Sequence, residues 1–171
     1  MESVTPFLWY DHEAEEAARF YTTVFRSSRV LEVRRAVDPK TGRAGPVMSV
    51  TFELAGQQIH ALNGGPHFRF TPAISLFVSC RTQRDIDVLW EKLSRGGTKG
   101  RCGWLEDMYG LSWQIVPARL GRLLDDAHPE RAGRVMAALM KMSKLETRAL
   151  EAAYRGPSPE TRRRGRGSSP R

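Results

Sequence analysis

The sequence predicts a mixed α+β chain in which a strand–helix–strands unit occurs twice and is followed by helices. Three observations predict it. First, Gln57 to Pro66, QQIHALNGGP, alternates as a strand, with Gln58, His60 and Leu62 on one face and Ile59, Ala61 and Asn63 on the other. It stops at Asn63-Gly64-Gly65-Pro66, where glycine supplies left-handed backbone freedom and proline fixes φ. Second, Phe20-Tyr21 and Leu89-Trp90 stand about 69 residues apart in helical patterns, as do the strands preceding them, a self-similarity that marks two copies of one unit. Third, the period becomes helical beyond Pro117. Two copies imply one sheet folded around a shared interior.

Taken in order, Thr5-Pro6-Phe7-Leu8-Trp9-Tyr10 reads as a buried strand, broken by Asp11 and His12. Glu13, Glu15 and Glu16 fall in the first turn of a helix, where its dipole favours carboxylates, and Ala14, Ala17, Ala18, Tyr21 and Phe25 follow at helical spacing. Arg29–Arg35 and Val47–Leu54 are strands around a polar turn at Asp38–Gly42, and Ala55-Gly56 turns the chain into the strand of the opening stretch. After Pro72 the pattern restarts. Ala73–Cys80 alternates, Thr82 with Asp85 forms a capping box, and Ile86, Leu89, Trp90 and Leu93 give a second amphipathic helix ending at Gly96-Gly97. Thr98–Trp104 and Leu111–Val116 read as strands, with little room for a hairpin in Leu105–Gly110. Leu120, Leu123 and Leu124 mark a short helix, and Pro129 opens a longer one bearing Ala132, Val135, Met136, Leu139 and Met140. Leu145–Tyr154 adds a third, and the methionine stripe is assigned to covering the sheet or a partner subunit.

The 171 residues, 40% apolar and 27% charged, suffice for one well-buried domain. No apolar run approaches the roughly 18 residues of a membrane span, and the amino terminus has no basic segment followed by an apolar core, so the expectation is a cytoplasmic protein without a membrane partner. Cys80 and Cys102 form no Cys-x-x-Cys pair and read as reduced. The net charge of +8 is uneven. Residues 155–171 carry six arginines against Glu160, leaving residues 1–154 at only +3. Rich in Pro, Gly, Ser and Arg, that tail is expected to be disordered and solvated, and nucleic acid is not expected as a partner.

The segments TPFLWYDHEAEEAARFY, ALNGGP, CGWLEDMYG and LSWQIVP, in this order and spacing, resemble the PhnB-like branch of the vicinal oxygen chelate superfamily, whose members include glyoxalase I, extradiol dioxygenases and the bleomycin and fosfomycin resistance proteins. The resemblance runs from about Val4 to Tyr154 and implies paired βαβββ modules curled around a cavity, with C-terminal helices, usually as a homodimer. Residues 1–154 are then one domain, with modules at about 4–66 and 72–117, helices at about 118–154 and the tail at 155–171. Members of this branch often carry a demethylubiquinone methyltransferase label, but no Gly-x-Gly-x-Gly turn follows a strand here to cradle S-adenosylmethionine.

The superfamily's metal enzymes hold a divalent ion with His or carboxylate groups on inward positions of the first and last strand of each module. Parity puts Ile74, Leu76 and Val78 under the second helix and Ala73, Ser75 and Phe77 inward; carried through the repeat, it puts Pro6, Leu8 and Tyr10 inward. By the resemblance the ligand positions fall near Pro6, His60, Ala73 and Gln114, a set with one good ligand where catalytic sites supply three. His12, His67 and His128 read as loop or helix-end residues. Cys102 beside Arg101 reads as packing, Asp107 as a cap for backbone N–H groups, and Trp9, Trp90, Trp104 and Trp113 as core or interface anchors. The expectation is a small-molecule binding protein without cofactor, its cavity lined by Tyr10, Ser49, Thr51, His60, Ser75, Phe77 and Gln114. The alternative is a divalent-metal lyase, isomerase or dioxygenase.

Overall fold

The computed structural model describes residue 2 and residues 4–157; the arginine-rich stretch from residue 158 onward lies outside the described residues. Two compact units are present, one formed by residues up to Ile74 with Asp107–Ser112, the other by Ser75–Glu106 and the chain from Trp113. The first holds β1 (Phe7–Tyr10), α1 (Ala14–Val24), β2 (Arg29–Val37), β3 (Ala44–Leu54) and β4 (Gln57–Asn63). The second holds β5 (Leu76–Cys80), α2 (Gln83–Leu93), β6 (Thr98–Lys99), β7 (Trp104–Glu106), β8 (Ser112–Pro117) from Trp113 on, α3 (Leu120–Leu124), α4 (Pro129–Leu139) and α5 (Thr147–Arg155). The βαβββ order thus occurs twice. Its strands form two four-stranded mixed sheets with the same spatial order, β1-β4-β3-β2 and β5-β8-β7-β6, and neither closes into a barrel.

In the first unit β1 pairs parallel with β4, and β3 pairs antiparallel with both β4 and β2. The helix face of this sheet is Leu8, Tyr10, Val50, Phe52, Leu54, Ile59 and Ala61, all buried, and α1 meets it with Ala14, Ala17, Ala18 and Tyr21. Three alanines let the helix approach closely, so Phe52 is fully covered, a burial worth about 1.5–3 kcal/mol. Asn63 fixes the start of α1. Its Oδ1 accepts from the Ala14 N–H at 2.8 Å, and its Nδ2 donates to the Val47 carbonyl at 3.1 Å, so β4 caps the helix from across the sheet. The glycine pair that follows has a packing reason: a Cβ on Gly64 would lie 2.2 Å from Cζ2 of Trp9, whose Nε1 donates to the Gly65 carbonyl at 2.9 Å.

The second unit repeats the plan with shorter strands. Thr82 and Asp85 form the expected capping box, and Ile86, Trp90 and Leu93 are the buried face of α2. The single strand expected over Thr98–Trp104 is interrupted. A turn intervenes in which Cys102 and Gly103 adopt positive φ (56° and 83°), and their N–H groups are taken by the carbonyls of Met142 and Ser143. Helices α3–α5 enclose their own core of Val116, Leu120, Val135, Leu139, Leu145 and Leu150. Pro129 opens α4 as expected. The methionine stripe divides: Val135 and Leu139 are buried, whereas Met136 and Met140, one position further around the helix, are 45% and 53% exposed. The boundary at 155 also shifts, since Arg155 closes α5.

The face assignment carried from one copy to the other is corrected by one residue. Leu8 and Tyr10, expected to face inward with His60, lie under α1 at 5% and 3% exposure. Three residues join β1 to α1 but only two join β5 to α2. The buried helix residues Tyr21 and Trp90 are 69 apart, while the buried strand-end residues Tyr10 and Cys80 are 70 apart. Since side chains alternate with period two, that single residue reverses which set faces the helix.

Candidate functional site

The sheet face of the first unit not covered by α1 is set by register. Phe7, His60, Thr51 and Glu32 form one row across β1, β4, β3 and β2, and Trp9, Leu62, Ser49 and Arg34 form the next. His60 is the centre of the first row. Its Nδ1 lies 3.0 Å from Thr51 Oγ1, its Nε2 lies 3.5 Å from Gln58 Nε2, and its ring centroid is 6.3 Å from that of Phe7, which is 61% exposed. The Thr51 hydroxyl both donates and accepts, so this pair forms with either tautomer of the ring. Glu32 at the row's end accepts from Arg34 Nε at 2.8 Å, which holds its carboxyl below the usual range.

The second unit shows the same station in its own sheet. Phe77 pairs in register with Gln114, as Phe7 does with His60, and is likewise 61% exposed. Gln114 Nε2 donates to Ser75 Oγ at 2.9 Å. Of the seven expected residues, then, Ser49, Thr51 and His60 share one uncovered face, Ser75, Phe77 and Gln114 cluster in the other sheet, and Tyr10 belongs to the core beneath α1.

Tyr10 is part of a polar network that sequence reasoning did not assemble. Its hydroxyl lies 3.3 Å from that of Tyr21, which donates to Asp107 Oδ2 at 2.7 Å. Asp107, 2% exposed, accepts at Oδ1 from the N–H groups of Tyr109 and Leu111, the backbone-capping role expected of it, and Tyr109 donates to Glu16 Oε1 at 3.0 Å. Burial raises all three phenols above their ordinary range. The network fastens Asp107–Ser112 to the first unit. The signal for it was two tyrosines on the buried faces of a strand and the next helix, but their carboxylate partner stands 86 residues from Tyr21.

Beside the first half of α1 runs an open groove of about 670 Å³, lined by His12, Glu15, Glu16, Arg19, Pro46, Val47, Met48 and Asn63. Its charges are largely engaged. Glu15 accepts from Arg19 at 2.7 Å and from Arg35 at 3.1 Å, and Glu16 accepts from Tyr109.

The donor chemistry of the sheet faces does not fit a divalent ion of the kind the resemblance implies. Among the described residues no three His, Cys, Asp or Glu side chains are grouped to hold a metal. Around His60 stand a hydroxyl, an amide and a phenyl ring, and both imidazole nitrogens already have neighbours.

Comparison with known proteins agrees with the architecture. The family profile described as 3-demethylubiquinone-9 3-methyltransferase matches residues 2–116. Among solved structures, the PhnB protein from Bacillus cereus is 36% identical with a TM-score of 0.62, covering 68% of this chain and all of that one. Protein PA1353 from Pseudomonas aeruginosa is 13% identical with a TM-score of 0.54, covering 66% of this chain and 95% of that one. A glyoxylase/bleomycin resistance protein/dioxygenase domain from Frankia sp. EAN1pec is 18% identical with a TM-score of 0.42, covering 66% and 89%. No curated protein matches. The helices after Pro117 lie beyond the profile's match. With more than half its length matched and a 36% identical structure alongside, the chain belongs to the PhnB-like family described as 3-demethylubiquinone-9 3-methyltransferase.

Proposed function

We propose that this protein binds a small aromatic or amphiphilic molecule on its uncovered sheet faces, without a metal ion. The observation that supports it is the repeated station: an exposed phenylalanine, Phe7 or Phe77, in register with a side chain that hydrogen-bonds, His60 or Gln114. An exposed phenyl ring provides stacking worth about 0.5–1.5 kcal/mol. The neighbouring Thr51–His60 and Ser75–Gln114 pairs supply donors and acceptors that fix orientation, with Ser49 one row away. Held by Thr51 and beside Gln58, the His60 ring has the role of orienting a polar group on the ligand.

The family's description names methyl transfer, and the residues here do not fit that cofactor. The turns after β1 and β5 begin Asp11-His12 and Arg81-Thr82, with no glycine to admit S-adenosylmethionine, and the glycine pair after β4 seats Trp9. A second copy of the chain is part of the proposal, motivated by Phe68 and Ile74, 65% and 74% exposed; the mass in solution by light scattering tests it.

A native mass spectrum of the freshly purified protein, followed by release and identification of small molecules, tests the binding reading. The expected result is a co-purified organic ligand whose occupancy falls in His60→Ala and in Gln114→Ala. A ligand retained in full by both variants would overturn the assignment of these faces.

A further inference from the structure

We propose that the sulfurs of Cys102 and Met140 form a binding site for copper(I), in the second unit and apart from the sheet faces described above. The Cys102 Sγ donates to the Met140 Sδ at 3.7 Å and lies 3.6 Å from the Leu139 carbonyl oxygen. At the roughly 2.3 Å of a metal–sulfur bond, sulfurs 3.7 Å apart subtend about 110° at a shared ion, the angle of a trigonal or tetrahedral site. The thiol proton now held between the sulfurs is the one an ion would displace. Binding exchanges that proton for a cation of the same charge.

The chain holds both sulfurs in place. Cys102 sits at positive φ in a clamped turn: its N–H and that of Gly103 donate to the Met142 and Ser143 carbonyls at 2.8 and 2.7 Å, and Ser143 Oγ donates to the Gly100 carbonyl at 2.7 Å. Met140 ends α4, its N–H bonded to the Met136 carbonyl at 3.0 Å. That helical spacing puts Met136 one turn earlier on the same face, a further thioether beside the pair. A site built before its ion arrives loses little freedom on capture. The core of these helices rests on Val135 and Leu139, whereas Met136 and Met140 are exposed. The part of the methionine stripe that packing does not use is therefore the part that stands beside the thiol.

The donor chemistry selects the ion. Thiolate and thioether are soft ligands that favour copper(I), while manganese, magnesium and calcium take oxygen donors. Zinc needs a fuller set of thiolate, imidazole or carboxylate ligands, and among the described residues no three such side chains are grouped. Cys80 offers no rival site, since it is buried and its thiol donates to the Val78 carbonyl. The expectation that Cys102 is packing and the methionine stripe a cover changes accordingly: the two meet at one exposed point.

Anaerobic titration of the full chain with copper(I) against a colorimetric chelator, with silver(I) as a redox-inert probe, tests this. One ion per chain is expected, lost in C102S. Binding should weaken at least about tenfold in M140L, a change of similar volume at an exposed position that leaves the unfolding midpoint in place. C80V should bind as the unaltered chain does. With isotope-labelled methionine methyl groups, silver(I) should shift the resonance that M140L deletes. Undiminished copper(I) affinity in M140L, or an unmoved Met140 methyl, would leave a thiol acting alone and overturn the proposal. Retention of the ion in C102S, its loss in C80V, or equal affinity for zinc(II) would overturn it as well.

Discussion

Asn63 satisfies an N–H at the start of α1 and a carbonyl of β3 with one side chain, so a single amide sets the position of the helix over its sheet. Asn63→Ala is expected to cost about 1–2 kcal/mol, as loss of a cap and of a second hydrogen bond, and Asn63→Asp, which keeps only the acceptor, should cost less. A urea midpoint unchanged in both variants would contradict that role. A second prediction concerns alkaline pH. Burial raises the Cys80 thiol from an ordinary value of 9.0 to about 11. The folded chain then holds this proton more tightly than the unfolded one, so the stability it contributes is whole below pH 9.0 and is lost as pH rises toward about 11. Tyr10 and Tyr21, raised by burial, act in the same sense at higher pH. Guanidinium midpoints should therefore decline over that range, less steeply in Cys80→Val, and a flat profile would refute the burial effect.

At the level of elements, the signals that are local in sequence were legible. Thr82 and Asp85 announced their capping box, Pro129 its place at the start of α4, and alternation placed Ser49, Thr51 and His60 on one sheet face. Two features were not. Nothing in Thr98–Trp104 revealed that its backbone leaves the sheet at Cys102, because the carbonyls that hold the turn come from Met142 and Ser143. The inward assignment of Tyr10 failed for a reason of connection length, a single extra residue between strand and helix that neither strand pattern records. The C-terminal helices supply a third prediction. Leu145 is fully buried and sits 3.1 Å from where a Cβ on Gly103 would be, so Leu145→Ala should cost about 2–5 kcal/mol and speed hydrogen exchange at Cys102 and Gly103. Met136→Ala, at an exposed position, should cost little. Equal midpoints for the two variants would mean that the core around Leu145 is misassigned.

For the molecule as a whole, one plan is used twice with different polar residues, and that difference decides the chemistry. The register makes His60 and Gln114 counterparts, each beside an exposed phenylalanine, so an imidazole in one copy answers to an amide in the other. The scarcity of metal ligands was legible from the sequence, since only one of the four expected positions carried a good ligand. What the sequence could not show is that Thr51 engages His60, because it reaches the ring only once the strands are in register, whereas Gln58 stands two residues away on the same strand. No helix among the described residues is long and apolar enough to cross a membrane. As proposed, these faces bind an organic molecule without an ion. The most direct test is the metal content of the freshly purified chain, measured by plasma mass spectrometry alongside His60→Ala. No stoichiometric zinc, nickel, manganese or iron is expected in either protein; one such ion per chain, lost on His60→Ala, would contradict metal-free binding.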